Sequence, residues 1–460
     1  MSDKPIIEQL LSNVSIESLN QMQEDSLAAN AKASDVILLS PTGSGKTLGF
    51  LLPVFEKLSV SSNAIQALVL VPSRELALQI ESVFKSLKTG FKVTCCYGGH
   101  PMDVEENNLA QSPALLIGTP GRIVDHINRK NINLDDVKTL VLDEFDKSLE
   151  MGFQEDMGII IGKLTNVKKR ILTSATQSIK IPDFTGMQSP VTLNYITGQA
   201  SGLSVKTVLS DSKDKFDTLL RLLCQIGNES VIVFCNQRDE VENVCAYLTQ
   251  HGIVNNNFHG GLEQRYREST LTKFRNGSTN VLVTTDLASR GLDIPDVKHV
   301  VHYQMPHKID AFTHRNGRTA RMGSTGTAYM LLHKDVLLPD YITSKPDILK
   351  LSDEKIRPLL PQWETLFISA GKKDKINKID IVGFLSKKGL LEKDELGLIE
   401  VKDDFAYAAV KRSKVESVIK LVKEEKIKGR KIKIEIARVT PKFESDKAAA
   451  TIIKPNRFLD

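Results

Sequence analysis

Tryptophan occurs once in the 460 residues, aromatic residues make up only 6%, and there are five cysteines. The cysteines, Cys95, Cys96, Cys224, Cys235 and Cys245, form no Cys-x-x-Cys pair. Neither a disulfide nor a cysteine zinc site is therefore expected, and a reducing cytoplasm suits the chain. No apolar run nears the ~20 residues that cross a bilayer, so no membrane partner is expected. The opening Met1–Pro5 has no basic region leading into an apolar stretch, so a secretory leader is not expected either.

What is present is ordinary for a globular protein: 41% hydrophobic and 25% charged residues. Length alone suggests two to four domains. The net charge of +5 is unevenly placed. Trp363 to Thr440 holds 19 Lys+Arg against 13 Asp+Glu, which leaves the remaining chain near neutral. A solvated helix face accounts for one basic run, but a whole basic segment on a neutral body suits polyanion binding.

Two α/β halves are legible. Val36–Leu39, Ala67–Val71, Ala114–Ile117 and Thr139–Leu142 are continuous apolar runs separated by amphipathic stretches. Val231–Phe234, Val281–Thr284, His299–His302 and Gly326–Met330 repeat the style. Such runs predict parallel sheets with helices on both faces. The domains are expected at 1–195, 214–345 and 363–440, with linkers at 196–213 and 346–362 and a flexible tail at 441–460. The third reads strand, helix, strand, strand, helix, strand, the split plan of a small α+β RNA-recognition module, with its last strand at 431–436.

Ser40-Pro41-Thr42-Gly43-Ser44-Gly45-Lys46-Thr47 follows the first apolar strand and precedes a helical run. Its glycines let backbone N–H groups converge on phosphate, and the helix N-terminus adds positive charge. Lys46 then neutralises the β- and γ-phosphates of ATP, and the Thr47 hydroxyl is a ligand for Mg²⁺. Asp143-Glu144-Phe145-Asp146 closes the strand at 139–142, which puts Asp143 on the metal and Glu144 on the attacking water. An acidic pair after a strand is otherwise an ordinary helix cap. The pairing with the loop favours the nucleotide.

With these two, eleven motifs stand in one order. The others are Gln23, Pro72–Ala77, Gly98-Gly99, Thr119–Arg122, Ser174–Thr176, Val233–Asn236, His259-Gly260 with Gln264 and Arg267, Thr285–Asp293 and His314–Arg321. Over about residues 15 to 340 the chain resembles the DEAD-box RNA helicases. The resemblance implies two tandem RecA-like parallel-sheet domains of the P-loop NTPase class. It implies that Gln23 reads adenine, that Gly291 and Asp293 meet the nucleotide, and that Arg318 and Arg321 act on the γ-phosphoryl as arginine fingers. Ser174, Thr176, Asp146 and His314 then couple ATP to domain movement. Arg74, Gly99, Thr119, Arg122, Arg267 and either Thr284 or Thr285 contact RNA. Ser40 replaces the first glycine of the general phosphate-loop pattern; from the family's pattern Phe145 departs in place of alanine, Ala320 in place of glycine, Leu19–Met22 in lacking the usual Pro-Thr before Gln23, and Ile6 in place of an upstream aromatic.

Leu366–Ile368, Gly371–Ile376, Asp380–Gly383 and Lys428–Lys433 make the last segment similar to the RNA-binding domain of the DbpA group, whose members dock on a hairpin of large-subunit ribosomal RNA. Phe405 and Tyr407 alternate on a strand and either stack bases or pack in the core. Lys428, Arg430 and Lys431 are the better phosphate contacts. The expectation is a monomeric, RNA-stimulated ATPase that unwinds short RNA duplexes. The alternatives are a non-unwinding RNA-binding protein on a helicase scaffold, or a translocase of the wider superfamily.

Overall fold

The computed structural model describes residues 6–41, 43–176, 181–196, 202–289, 297–320, 324–342, 346–352 and 356–438. Thr42, Gly291, Asp293, Arg321 and the expected tail lie outside them. The chain divides near residue 201 into two compact units. No helix among the described residues is long and apolar enough to cross a membrane.

The first unit is built on β1 (Asp35–Leu39), β2 (Ala67–Leu70), β3 (Val93–Cys96), β4 (Leu115–Gly118), β5 (Thr139–Leu142), β6 (Lys169–Ser174) and β7 (Val191–Asn194). They form one sheet in the order β3-β4-β2-β5-β6-β1-β7, with every pairing parallel. Alternate side chains supply two cores. Val69, Ile117 and Val141 meet Phe50 and Val54 of the helix Lys46–Lys57 and Ile80 of the helix Arg74–Ser86. Leu68, Leu116 and Leu140 face Ile123, Phe145 and Ile160 on the other side. Burial on both faces is why these strands read as unbroken apolar runs.

The second unit begins with a sheet of β8 (Leu203–Ser210), β9 (Val231–Phe234), β10 (Asn255–Phe258), β11 (Val281–Thr284), β12 (His299–His302), β13 (Gly326–His333) and β14 (Asp347–Ile348). Its order is β10-β11-β9-β12-β13-β8-β14, again parallel throughout. Two expected linkers need correction here. β8 pairs with β13 along its whole length inside the span 196–213, and β14 adds to β8 inside 346–362. Ser and Thr beside small apolar residues look like linker composition, yet their hydrogen bonds are those of strands near a sheet edge.

The third sheet is antiparallel, β16 (Leu396–Val401), β17 (Ala406–Lys411), β15 (Trp363–Ile368) and β20 (Ile434–Ile436) in that order, with β18 (Lys426–Ile427) and β19 (Arg430–Lys431) as a separate hairpin. The strand expected over 431–436 is thus split. Lys428 and Gly429, at φ +49° and +81°, turn the chain back before it joins the sheet. Ile381 and Leu385 of the helix Lys378–Lys387 and Val418 of the helix Val415–Val422 cover one face of this sheet. The other face docks on the helix Gln264–Arg275. Arg275 holds Glu400 through two N–H donors at 3.0 and 2.9 Å, Lys273 lies 3.1 Å from Glu364, and Asn276 donates to Thr365 Oγ1 at 2.8 Å. Tyr407 is buried at this junction beside Ser269, so that burial pushes its phenol up to about 12. It packs, together with Phe367 and Phe405, in an aromatic cluster with ring centroids 5.3 to 6.0 Å apart.

Candidate active site

The phosphate loop leaves the carboxyl end of β1, the position at which parallel α/β sheets bind ligands. Ser40 N–H donates to Ser174 O at 3.0 Å, which ties the loop to the end of β6. Gly43 and Gly45 take φ +82° and +89°, a region that other residues enter only under strain. A Cβ on Gly45 would also sit 2.5 Å from Gln23 Nε2. Lys46 folds back to donate to Ser40 O at 2.6 Å, with its ammonium held over the loop. The departure at Ser40 is absorbed locally: its hydroxyl donates to Ser44 Oγ at 2.7 Å.

Gln23 stands beside that loop. Its Oε1 accepts the Asn20 N–H at 3.0 Å, and its Nε2 donates to Gly45 O at 3.2 Å. One N–H and one lone pair of the amide are left over, the pair that an adenine edge requires. Asn20, which the sequence did not single out, also donates to Ser44 O at 3.0 Å.

The acidic cluster follows β5. Asp143, Glu144 and Asp146 are all buried. Thr173 donates to Asp143 Oδ1 and accepts the Glu144 N–H at 3.2 Å. This threonine was also missed, although it directly precedes the Ser174–Thr176 motif. Burial raises the Asp143 carboxyl above its ordinary value, while Thr173 and the charge of Lys46 act against the rise. Glu144 holds φ +45° at the strand-to-helix turn, backbone strain of the kind found at reacting groups. Thr47, Asp143 and Glu144 offer hard oxygen donors, a set suited to Mg²⁺. Thr176 Oγ1 donates to Asp146 Oδ2 at 3.1 Å and Thr176 N–H to Ser174 Oγ at 2.9 Å, so three of the four expected coupling residues form one network. Phe145 is fully buried in the core beneath, against Phe184.

In the second unit His314 and Arg318 are buried at the end of the helix Ile309–Asn316 and in the turn after it. Between them lies Arg315, fully buried, a residue to which the sequence reading gave no role. It grips Asp286 at 2.6 and 3.2 Å, Gln304 O at 2.7 Å and Asn236 Oδ1 at 2.8 Å, and thereby joins three motifs. The complementary charges of Asp286 and Arg315 were its only signal in the sequence. Ala320 takes φ +55°, which is why a glycine suits this position better. Of the two threonines, Thr284 is fully buried and donates to Phe258 O at 2.7 Å. Thr285, at the strand's end, is half-buried. Arg267 is buried in the helix Gln264–Arg275.

The other expected RNA contacts gather on the first unit. Arg74 opens its helix beside Gly99, where a Cβ would come within 2.8 Å of Arg74 Nη1. Thr119 caps the helix Pro120–Asn128, and Arg122 in its first turn donates to His100 O at 2.9 Å. In the third domain each expected cation is ion-paired at the surface: Lys428 with Asp380, Arg430 with Asp374, and Lys431 with Glu424. Exposed pairs of this kind are worth ~0–1 kcal/mol, so a phosphate can replace the carboxylate.

Three family models match the chain in series: DEAD/DEAH box helicase at residues 20–184, helicase conserved C-terminal domain at 214–323, and DbpA RNA binding domain at 365–436. The ATP-dependent RNA helicase DbpA of Bacillus subtilis is 31% identical over 91% of this chain and 94% of its own length. DbpA of Escherichia coli is 32% identical over 92% and 95%. Among solved structures, S. cerevisiae Dbp5 bound to RNA and ADP BeF3 superposes with a TM-score of 0.64 at 26% identity, over 72% of this chain and 88% of that one. The phosphate loop, the acidic cluster and the appended RNA-binding module stand in this order in a chain that aligns almost end to end with such enzymes. The chain belongs to the DEAD-box ATP-dependent RNA helicases, and among them to those that carry a DbpA RNA-binding domain.

Proposed function

We propose that ATP hydrolysis is carried by Lys46, Glu144, Arg318 and Arg321, that Thr47 and Asp143 hold Mg²⁺, and that the enzyme separates short RNA duplexes. The observation that carries this reading is the Thr173 hydroxyl, which donates to Asp143 and accepts the Glu144 N–H, beside a phosphate loop whose Lys46 ammonium is held on Ser40 O. Glu144 takes the proton of a water as its oxygen bonds the γ-phosphorus. The bond from that phosphorus to the β–γ bridging oxygen breaks, and ADP leaves with its electron pair. Lys46, Arg318 and Arg321 stabilise the charge on the phosphoryl oxygens. Mg²⁺, when bound, neutralises the β- and γ-phosphates. Gln23, Gly43, Ser44, Gly45, Gly291 and Asp293 hold the nucleotide. Ser174, Thr176, Asp146 and His314 transmit its state, so that hydrolysis depends on a closed, RNA-bound arrangement of the two units.

Arg74, Gly99, Thr119, Arg122, Arg267 and Thr285 grip one RNA strand. The third domain, through Lys428, Arg430 and Lys431, tethers this engine to structured RNA and raises its local concentration. The match to the DbpA RNA binding domain supports RNA as the third domain's ligand; we take that RNA to be ribosomal, the role to be large-subunit assembly, and the enzyme to act as a cytoplasmic monomer. Steady-state ATPase assays with RNA, with DNA and with neither test the engine. Stimulation by RNA that Glu144→Gln abolishes is expected, whereas equal stimulation by DNA would favour a translocase. Crosslinking in cells followed by sequencing tests the target: reads without a ribosomal RNA peak would remove ribosome assembly.

A further inference from the structure

The Gly98-Gly99 loop after β3 and the helix Pro120–Asn128 that carries Arg122 are different elements, and one buried carboxylate hydrogen-bonds to residues of both. Glu105, in the helix Met102–Leu109, is fully buried. Its Oε1 accepts the Tyr97 N–H at 3.0 Å, which ties the loop just before Gly98-Gly99, and lies 3.4 Å from His100 Nδ1 just after it. Its Oε2 bonds His126 Nε2 at 2.7 Å and lies 3.7 Å from Arg122 Nε. His126 is fully buried as well, and its Nδ1 accepts from the Asn131 amide at 3.2 Å. That bond leaves the ring proton on Nε2, where it donates to Glu105. The circuit closes on Arg122 Nη2, which donates to His100 O at 2.9 Å. An unpaired carboxylate is intolerable in such a place, so each partner is held where the charge needs it.

We propose that Glu105 is a positioning residue for RNA. It locks the Gly98-Gly99 loop and the Arg122 guanidinium in one arrangement, so that the phosphate backbone meets a preformed grip. The inference rests on the reading of Gly99 and Arg122 as RNA contacts. Glu105 touches neither the phosphate loop nor the acidic cluster through any of these bonds, so its influence falls on RNA and not on ATP.

The test is the steady-state ATPase rate titrated with a single-stranded RNA oligonucleotide, run on the full chain. Glu105→Met keeps the volume and removes the acceptors. It is expected to raise the half-saturating RNA concentration about ten-fold, the effect of having to order one arginine and its loop on binding. The rate at saturating RNA and the KM for ATP stay within about two-fold. Glu105→Gln is expected to restore RNA half-saturation to within about three-fold of the wild type, because its amide accepts from Tyr97 and donates to His126 in the other tautomer, with the Asn131 amide turned so that its oxygen accepts from Nδ1. Unchanged half-saturation in a folded Glu105→Met protein overturns the proposal, and so does a parallel loss of maximal rate and ATP affinity. If Glu105→Met fails to fold, His126→Leu removes one arm alone: half-saturation raised several-fold supports the proposal, and an unchanged value overturns it. Arg122→Ala run alongside separates the two readings. If it leaves half-saturation unchanged, the RNA-contact reading has failed. If it raises the value and Glu105→Met does not, only the positioning role has failed.

Discussion

Glu144 combines burial, a strained φ of +45° and a backbone bond to Thr173, a combination with no benefit to stability. Glu144→Gln keeps the shape and loses the base. It is expected to lower kcat by roughly 10²- to 10⁴-fold while equilibrium binding of a fluorescent ATP analogue is retained. Gly99 is a position that only glycine holds without strain: at φ +86° an added Cβ also meets Arg74 Nη1, so Gly99→Ala is expected to cost about 1–2 kcal/mol, read as a lowered unfolding midpoint. A third residue sets a pH response. His302 is fully buried against Asn316, and burial, reinforced by the charge of Arg315, lowers its pKa to about 3. Between pH 3 and the unfolded value near 6.5 only the unfolded chain binds the proton, so stability falls as pH drops below ~6.5 by up to ~1.4 kcal/mol per unit. In urea titrations from pH 7 to pH 5, His302→Gln is expected to flatten that slope.

At the scale of elements, the helix Gln264–Arg275 has two tasks. Its first turns hold Gln264 and Arg267, proposed to serve RNA contact, and its last turns seat the third sheet through Arg275 and Lys273. Burial pushes the Glu400 carboxyl up, but Arg275 and Lys402 together hold it below its ordinary value. A depressed carboxylate contributes stability above its unfolded pKa and loses it as pH falls through the folded one, so the docking weakens below about pH 4.3. Glu400→Gln at neutral pH is expected to remove about 1–2 kcal/mol, because the pair is partly screened by solvent. Calorimetry would show the third domain melting ahead of its neighbouring sheet, and an unchanged single transition would contradict the docking's energetic role. This face was ambiguous in the sequence because alternation on a strand serves base stacking and packing equally. Only the position of the helix decides that Tyr407 packs. β10 was invisible for a related reason: Asn255-Asn256-Asn257 has strand hydrogen bonds but not strand composition.

For the whole molecule, RNA affinity is expected to divide between the grip on the first unit and the cations of the third domain. Replacing Lys428, Arg430 and Lys431 together by alanine removes up to three phosphate contacts. The slope of log binding constant against log salt for a structured RNA is then expected to flatten by roughly 2–3, in fluorescence anisotropy over a potassium chloride series. RNA-stimulated ATPase with an unstructured oligonucleotide should change little. An unchanged slope would place the structured RNA elsewhere on the molecule.

The nucleotide loop, the acidic cluster and the class of all three sheets were present in the sequence, because each depends on local order. A glycine turn follows a strand, an acid ends one, and apolar runs mark strands buried on both faces. What tertiary structure decided are the partnerships of residues far apart in the chain. Thr173 clamps Asp143, Arg315 joins Asp286 to Asn236, Glu105 spans a loop and a helix, and Thr284 turns inward where Thr285 does not. None of these follows from spacing. A buried charge or hydroxyl takes whichever partner the packed sheet brings within about 3 Å, and that choice is made only once the strands are in register.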